Sequence, residues 1–170
     1  ISQNTRIAWR RLLSLLPDAK LLLFGYEGSV RDVIRRDIAG DIFDPSRIDF
    51  VKRCDFTDYM LHYLNIDIAL DPFPFNGGTT SCDALWMGVP VVSLVGSRAI
   101  NRAGLTVLTQ VGMPELAAFS IDEYIQKAVG LAQNPARLSD IRSTLRHRML
   151  QSPLMDAQRF ARDMEIAFRT

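Results

Sequence analysis

The stretch Asp67-Ile-Ala-Leu-Asp-Pro-Phe-Pro-Phe-Asn-Gly-Gly-Thr-Thr-Ser-Cys-Asp-Ala-Leu-Trp-Met-Gly-Val-Pro-Val-Val-Ser-Leu94 decides the fold of this chain. The apolar run Ile66–Leu70 predicts a strand, and the prolines and glycines from Pro72 to Gly78 predict a turn. Thr79 and Thr80 then open a helix, and Val89–Val95 predicts a second strand. A glycine-threonine turn that feeds a helix is a natural anion site. The first N–H groups of a helix have no internal partner, and its N-terminus carries roughly +0.5 of an elementary charge. Gly77 and Gly78 are expected to permit close backbone approach and positive φ. Thr79 and Thr80 stand where a diphosphate would accept from their hydroxyls and N–H groups. Asp83, about one turn on, is placed to accept from ribose hydroxyls. The plain alternative is that Thr79 or Thr80 merely caps the helix and Asp83 is a favourable first-turn acid. The turn is neither a Walker loop, whose lysine it lacks, nor a GxGxxG fingerprint.

Outward from this stretch, strands and helices alternate. Ser2–Leu16 predicts an amphipathic helix ended by Pro17-Asp18, and Lys20–Phe24 a short strand buried on both faces. Ser29–Ile42 has helical spacing, Asp44-Pro45-Ser46 reads as a turn, and Arg47–Val51 as a strand. Asp55 or Thr57 is a cap for a helix running to Asn65. Helices are expected over Ala99–Gln110, over Ile121–Gln133 after Ser120, from Pro135 to Leu150, and over Asp156–Arg169. This interval implies a doubly wound α/β domain, a Rossmann-like parallel sheet with helices on both faces and ligands at the carboxyl ends of its strands. A body over 1–133 and a helical C-terminal tail over 134–170 form one expected domain. Leu138, Ile141, Leu145 and Met149 would be the buried stripe of the first tail helix, and Phe160, Met164 and Phe168 that of the last.

One hundred and seventy residues fit one domain on the usual ~100–200. The chain is 48% hydrophobic, enough for a core, and its net charge of +1 argues against a nucleic-acid partner. Charge is uneven, however. Between Cys54 and Gln133 three basic residues (Arg98, Arg102 and Lys127) face eight acidic ones, so a phosphate there would rely on backbone dipoles and hydroxyls. The tail from Pro135 carries seven arginines against four acids, which reads as a solvated helix face. Cys54 and Cys82 lack metal-ligand spacing and are expected to be reduced, structural thiols of a cytoplasmic protein. No apolar run approaches the ~18 residues of a membrane span, so no membrane partner is expected. The first residue is Ile1, and the chain is read as a piece of a longer protein.

Asp67–Gly88 with the following VPVV resembles the C-terminal half of the O-GlcNAc transferase family, glycosyltransferase family 41, in its bacterial branch. The resemblance runs on through Gly96–Leu105, Val111–Leu116, Asp122–Tyr124, Arg146–Met149 and Ser152–Leu154, and takes in most of the chain from Pro45. It implies the second of two facing Rossmann-like domains, the GT-B arrangement, with a nucleotide-sugar donor held mainly by that domain. By resemblance, Gly78, Thr79 and Thr80 bind the donor diphosphate and Asp83 the ribose. Tyr59 falls where a ring lies against uracil, and Val51–Arg53 where backbone groups read the base edge, which makes Val51 and Arg53 base-site residues. Animal relatives have histidine at the positions of Tyr59 and Gly78, and arginine at that of His62. Phe73 and Phe75 either wall the sugar or pack under the turn. The family's phosphate-binding lysine belongs just before the helix that Ser2–Leu16 represents, and neither Lys20 nor Lys52 stands in a matching context. The acid/base groups belong to the acceptor-side domain, so no catalytic residue is expected within this segment.

The resemblance therefore implies part of a UDP-GlcNAc-dependent transferase that moves the sugar, with inversion, to serine or threonine hydroxyls of an acceptor protein. No cofactor and no metal is expected beside the donor, since no D-x-D motif lies near the turn. One alternative is a transferase using another sugar or acceptor, and another is a nucleotide-binding or interaction module without transfer activity. A nicotinamide-dependent dehydrogenase is disfavoured by the missing GxGxxG.

Overall fold

The computed structural model describes residues 1–25 and 28–169. Helix α1 (Gln3–Leu15) leads into strand β1 (Leu21–Phe24), helix α2 (Val30–Ala39) and strand β2 (Ile48–Val51). Helix α3 (Phe56–His62) and a 3-10 turn over Tyr63–Asn65 precede strand β3 (Ala69–Leu70). Helix α4 (Thr79–Trp86), strand β4 (Val91–Leu94), helix α5 (Ala103–Gln110) and strand β5 (Ala117–Ala118) complete the body with helix α6 (Ile121–Ala132). Helices α7 (Pro135–Gln151) and α8 (Ala157–Arg169) form the tail.

All strand pairs are parallel. Leu21 of β1 pairs with Ile48 of β2, Ala69 of β3 with Val91 of β4, and Ser93 of β4 with Ala117 of β5. Right-handed crossovers then place α1, α2 and α6 on one face and α3, α4 and α5 on the other. Contacts of α1 with α2 and α6, and of α4 with α5, agree with that division. The α/β fold class expected from the sequence, a parallel sheet wrapped by helices, is the one observed.

The core explains the run-like strands. Val91, Val92 and Ser93 of β4 are buried on both faces, whereas β1 buries Leu21 and Leu23 and leaves Leu22 half-buried and Phe24 exposed, so its expected two-sided burial is not complete. Trp9, Leu12 and Leu13 of α1 and Tyr124, Ile125 and Leu131 of α6 close one side, and Leu85 and Leu108 the other. Caps follow the sequence closely. Ser2, Asp55, Ser120 and Asn134 each accept a backbone N–H at the start of α1, α3, α6 and α7, satisfying donors that the helix leaves open.

Several expectations need correction. The ladder is not continuous among the described residues: β1–β2 and β3–β4–β5 are separate sheets. A cavity of about 830 Å³ separates β1 from β3, lined by Leu21, Leu23, Leu70 and Asp71 among others. Strand β5 was not expected, since two alanines carry little strand preference and are recruited by the open edge of β4. Residues Ala99–Asn101 form a 3-10 turn, so α5 starts four residues later than expected. In the tail, Ile141, Leu145 and Met149 are buried and Leu138 half-buried, as expected. Phe160, Met164 and Phe168 are exposed instead, Phe168 to 83%, because α8 meets chiefly the turn before it. No described helix is long and apolar enough to cross a membrane.

Candidate functional site

The carboxyl end of β3 runs straight into the Asp71–Gly78 turn and then α4. Gly78 caps α4 without a side-chain bond, so neither threonine is consumed as a cap. That removes the plain alternative for both. Gly78, Thr79 and Thr80 are exposed, and the N–H groups of the first turn have no helical partner. Neither Gly77 nor Gly78 has a positive φ. Glycine is needed at 77 for space, since a Cβ there would lie 2.4 Å from Ser81 Oγ, 2.7 Å from Thr80 Oγ1 and 2.9 Å from Asp71 Oδ1. At 78 the space is open.

Asp83, half-buried on α4, accepts from Tyr59 Oη on α3 at 3.1 Å. Tyr59 Oη lies 2.6 Å from Tyr63 Oη, which also reaches Thr80 O at 3.3 Å. In the 2.6 Å contact either hydroxyl can donate, since Tyr59 is also placed to give its one proton to the carboxylate and Tyr63 its own to Thr80 O. Burial, then the contacts with Tyr63 and Asp83, pushes the Tyr59 phenol well above its ordinary range, which keeps it a donor. Burial likewise raises Tyr63, partly offset by its bond with Tyr59. The Tyr59 ring stands edge-on to Phe24 at 5.2 Å and to Tyr63 at 5.4 Å, and tilted against Phe56 at 6.3 Å. His62 joins this aromatic group through Phe24, 5.7 Å away.

Val51 ends β2 and is buried, and its carbonyl accepts from Gly25 N at 3.4 Å. Arg53 sits on the exposed loop that follows. Both thus reach the carboxyl end of the sheet near Tyr59, whereas Lys20 lies before β1, at the opposite end. The two candidate sugar-wall rings part company. Phe73 is buried edge-to-face against Tyr124 at 5.5 Å, while Phe75 is 66% exposed. Of the two rings, Phe75 is the accessible one.

Sequence reasoning missed what holds the turn. Thr5 Oγ1 donates to Phe73 O at 2.5 Å and accepts Phe73 N–H at 3.1 Å, and Ser2 Oγ also donates to Phe73 O at 2.5 Å. Trp9 Nε1 donates to Tyr124 Oη at 3.1 Å, which donates to Asp71 O at 3.0 Å. Tyr63 carried a readable signal, since it follows Tyr59 by four helical positions. Thr5 carried none, because its partner is 68 residues away.

A parallel α/β domain that offers an uncapped helix start, two free-standing threonines and an acidic side chain one turn on belongs to the Rossmann-like class. The sequence places it more narrowly. Residues 1–164 match Glycosyl transferase family 41, and the chain belongs to that family. It is 36% identical over 167 residues to a probable UDP-N-acetylglucosamine–peptide N-acetylglucosaminyltransferase SPINDLY of Petunia hybrida, covering 95% of this chain and 18% of the relative. The UDP-N-acetylglucosamine–peptide N-acetylglucosaminyltransferase of Caenorhabditis elegans is 29% identical over 165 residues, 97% of this chain and 14% of the relative. Among solved structures, a Thermobaculum terrenum O-GlcNAc transferase mutant superposes with a TM-score of 0.93 at 34% identity, covering 99% of this chain and 33% of that one. The chain thus spans less than a fifth of the length of these curated relatives.

Proposed function

We propose that this chain is the donor-binding part of a UDP-GlcNAc-dependent protein O-glycosyltransferase, with residues 1–170 acting as one nucleotide-sugar-binding unit. The observation that carries the reading is the exposed, uncapped start of α4 with Thr79 and Thr80 upon it, in a family 41 chain. Gly78, Thr79 and Thr80 hold the diphosphate through N–H groups, hydroxyls and the helix dipole. Asp83 accepts from the ribose, Tyr59 lies against the base, and Val51 and Arg53 flank it. Phe75, the accessible ring of the turn, faces the sugar.

In the transfer, a serine or threonine hydroxyl of the acceptor attacks the anomeric carbon as its bond to the diphosphate breaks. Configuration inverts, UDP departs with the bonding electron pair, and the hydroxyl proton goes to a base supplied outside this chain. Negative charge grows on the departing diphosphate, and preorganised donors at the start of α4 stabilise it more in the transition state than before.

Calorimetric titration of the chain with UDP, with ADP as control, tests the donor site. Selective UDP binding is expected. Thr80→Ala should weaken it by roughly 1–3 kcal/mol through loss of a charge-assisted hydrogen bond. Unchanged affinity in that variant would remove Thr80 from the site.

A further inference from the structure

Among the described residues six polar side chains are buried, and five of them (Thr5, Asp71, Asn76, Ser81 and Ser93) gather beneath the turn that opens α4. Asp71 is central. Its Oδ1 accepts from Ser81 Oγ at 2.7 Å and from Gly77 N at 3.3 Å. Its Oδ2 lies beside Ser93 Oγ, yet neither atom completes a hydrogen bond. Two glycines make room for the carboxyl. A Cβ on Gly77 would meet Asp71 Oδ1 at 2.9 Å, and one on Gly104 would meet Ser93 Oγ at 1.9 Å and Asp71 Oδ2 at 2.8 Å.

We infer that Asp71 is a positioning residue for the donor turn, its carboxyl clamping Gly77 N–H and Ser81 Oγ so that Gly78, Thr79 and Thr80 are presented at one fixed place. The inference rests on the reading of that turn as a diphosphate site. Residues 77 and 81 flank the three donor-facing residues on either side, so one buried group fixes both ends of the segment that meets the ligand. Burial raises the pKa of the Asp71 carboxyl, and the bonds from Ser81 and Gly77 together with the neighbouring Ser93 hydroxyl oppose that. The Ser93 hydroxyl, beside Oδ2, is the nearest group that can pair with it. Unpaired buried polar atoms are otherwise expensive.

Asparagine keeps an oxygen for Gly77 and Ser81 and offers an NH2 group to Ser93. Alanine removes the clamp. The test uses the full-length protein with Asp71→Asn and Asp71→Ala, and reads UDP affinity and amide exchange of residues 76–82, with residues 121–131 as the reference for an intact fold. Asp71→Asn is expected to bind UDP within about threefold of wild type and to keep wild-type exchange. Asp71→Ala is expected to weaken UDP roughly tenfold or more and to speed exchange at 76–82 only. An alanine variant like wild type in both readouts overturns the inference, as does an asparagine variant as loose as the alanine one. Should Asp71→Ala unfold outright, Asp71→Asn decides: wild-type exchange supports the clamp, and faster exchange at 76–82 overturns it. If wild type itself binds no UDP, the donor-site reading fails, while the contrast in exchange still judges Asp71.

Discussion

Thr5→Val tests the latch between α1 and the donor turn. Thr5 is fully buried, and its one hydroxyl serves the Phe73 backbone twice, donating to the carbonyl at 2.5 Å and accepting the N–H at 3.1 Å. Valine keeps the shape and removes both bonds. The carbonyl retains Ser2 Oγ, but the Phe73 N–H is left buried without a partner, which costs about 1–3 kcal/mol. Threonine and valine have similar helix propensity, so α1 itself should not soften. For a chain of 170 residues each kcal/mol moves Tm by roughly 2–4 °C, so the variant should melt about 2–12 °C lower. Thr5→Ser keeps the hydroxyl and should recover most of the loss. Thermal denaturation followed by circular dichroism measures all three proteins. A valine variant that melts with wild type, or a serine variant that melts as low as the valine one, would refute the latch.

Gly77→Ala should destabilise the chain by about 1–3 kcal/mol, since its Cβ would collide with Ser81, Thr80 and Asp71, whereas Gly78→Ala should stay within about 0.5 kcal/mol because nothing lies within 4 Å. Urea denaturation of the pair checks this, and equal losses would contradict the packing described for the turn. Tyr59→Phe keeps the ring but frees Asp83, and should weaken UDP by roughly 0.5–1.5 kcal/mol in calorimetry. Tyr59→Ala should lose more, and an alanine variant no weaker than phenylalanine would take the ring out of the base site. Phe168→Asp should leave chain stability within about 0.5 kcal/mol, given 83% exposure of the ring. A large loss on melting would show that α8 packs on the body in solution.

The body of the fold was legible because its signals are local. KLLLF and VPVVSL are short apolar runs that read as strands, and Ser2, Asp55 and Ser120 announce helix starts through hydrogen bonds spanning three residues. Strand β5 was not legible, because Ala117 and Ala118 become a strand only when β4 offers its edge. The last tail helix shows the opposite failure. Its Phe160, Met164 and Phe168 have core-like spacing, but spacing gives the face of a helix and not what covers it. The helix start at Thr79 and the exposure of Thr79 and Thr80 were readable from turn chemistry. Phe73 was ambiguous, since an aromatic after a proline serves a pocket or a core equally well, and only Tyr124, 51 residues on, settles it as core.

Charge decides how far this chain can hold a diphosphate by itself. The segment from Cys54 to Gln133 has three basic residues, and two are already engaged. Arg102 donates to Gly96 O at 3.1 Å, and Lys127 pairs with Glu123 at 3.0 Å and with Glu115 O. Thr79 and Thr80 bring dipoles and hydroxyls to the turn but no full positive charge, and Asp83 adds a negative one nearby. Screening acts on full charges far more than on short-range dipoles. UDP affinity of the chain alone should therefore change little between low and physiological salt. The full-length protein, if its upstream part adds the lysine that family resemblance implies, should bind more tightly and lose more of that affinity as salt rises. Equal salt dependence in the two proteins would mean that the phosphate is neutralised within this chain, and Arg98, exposed on the loop after β4, would then be the first cation to replace.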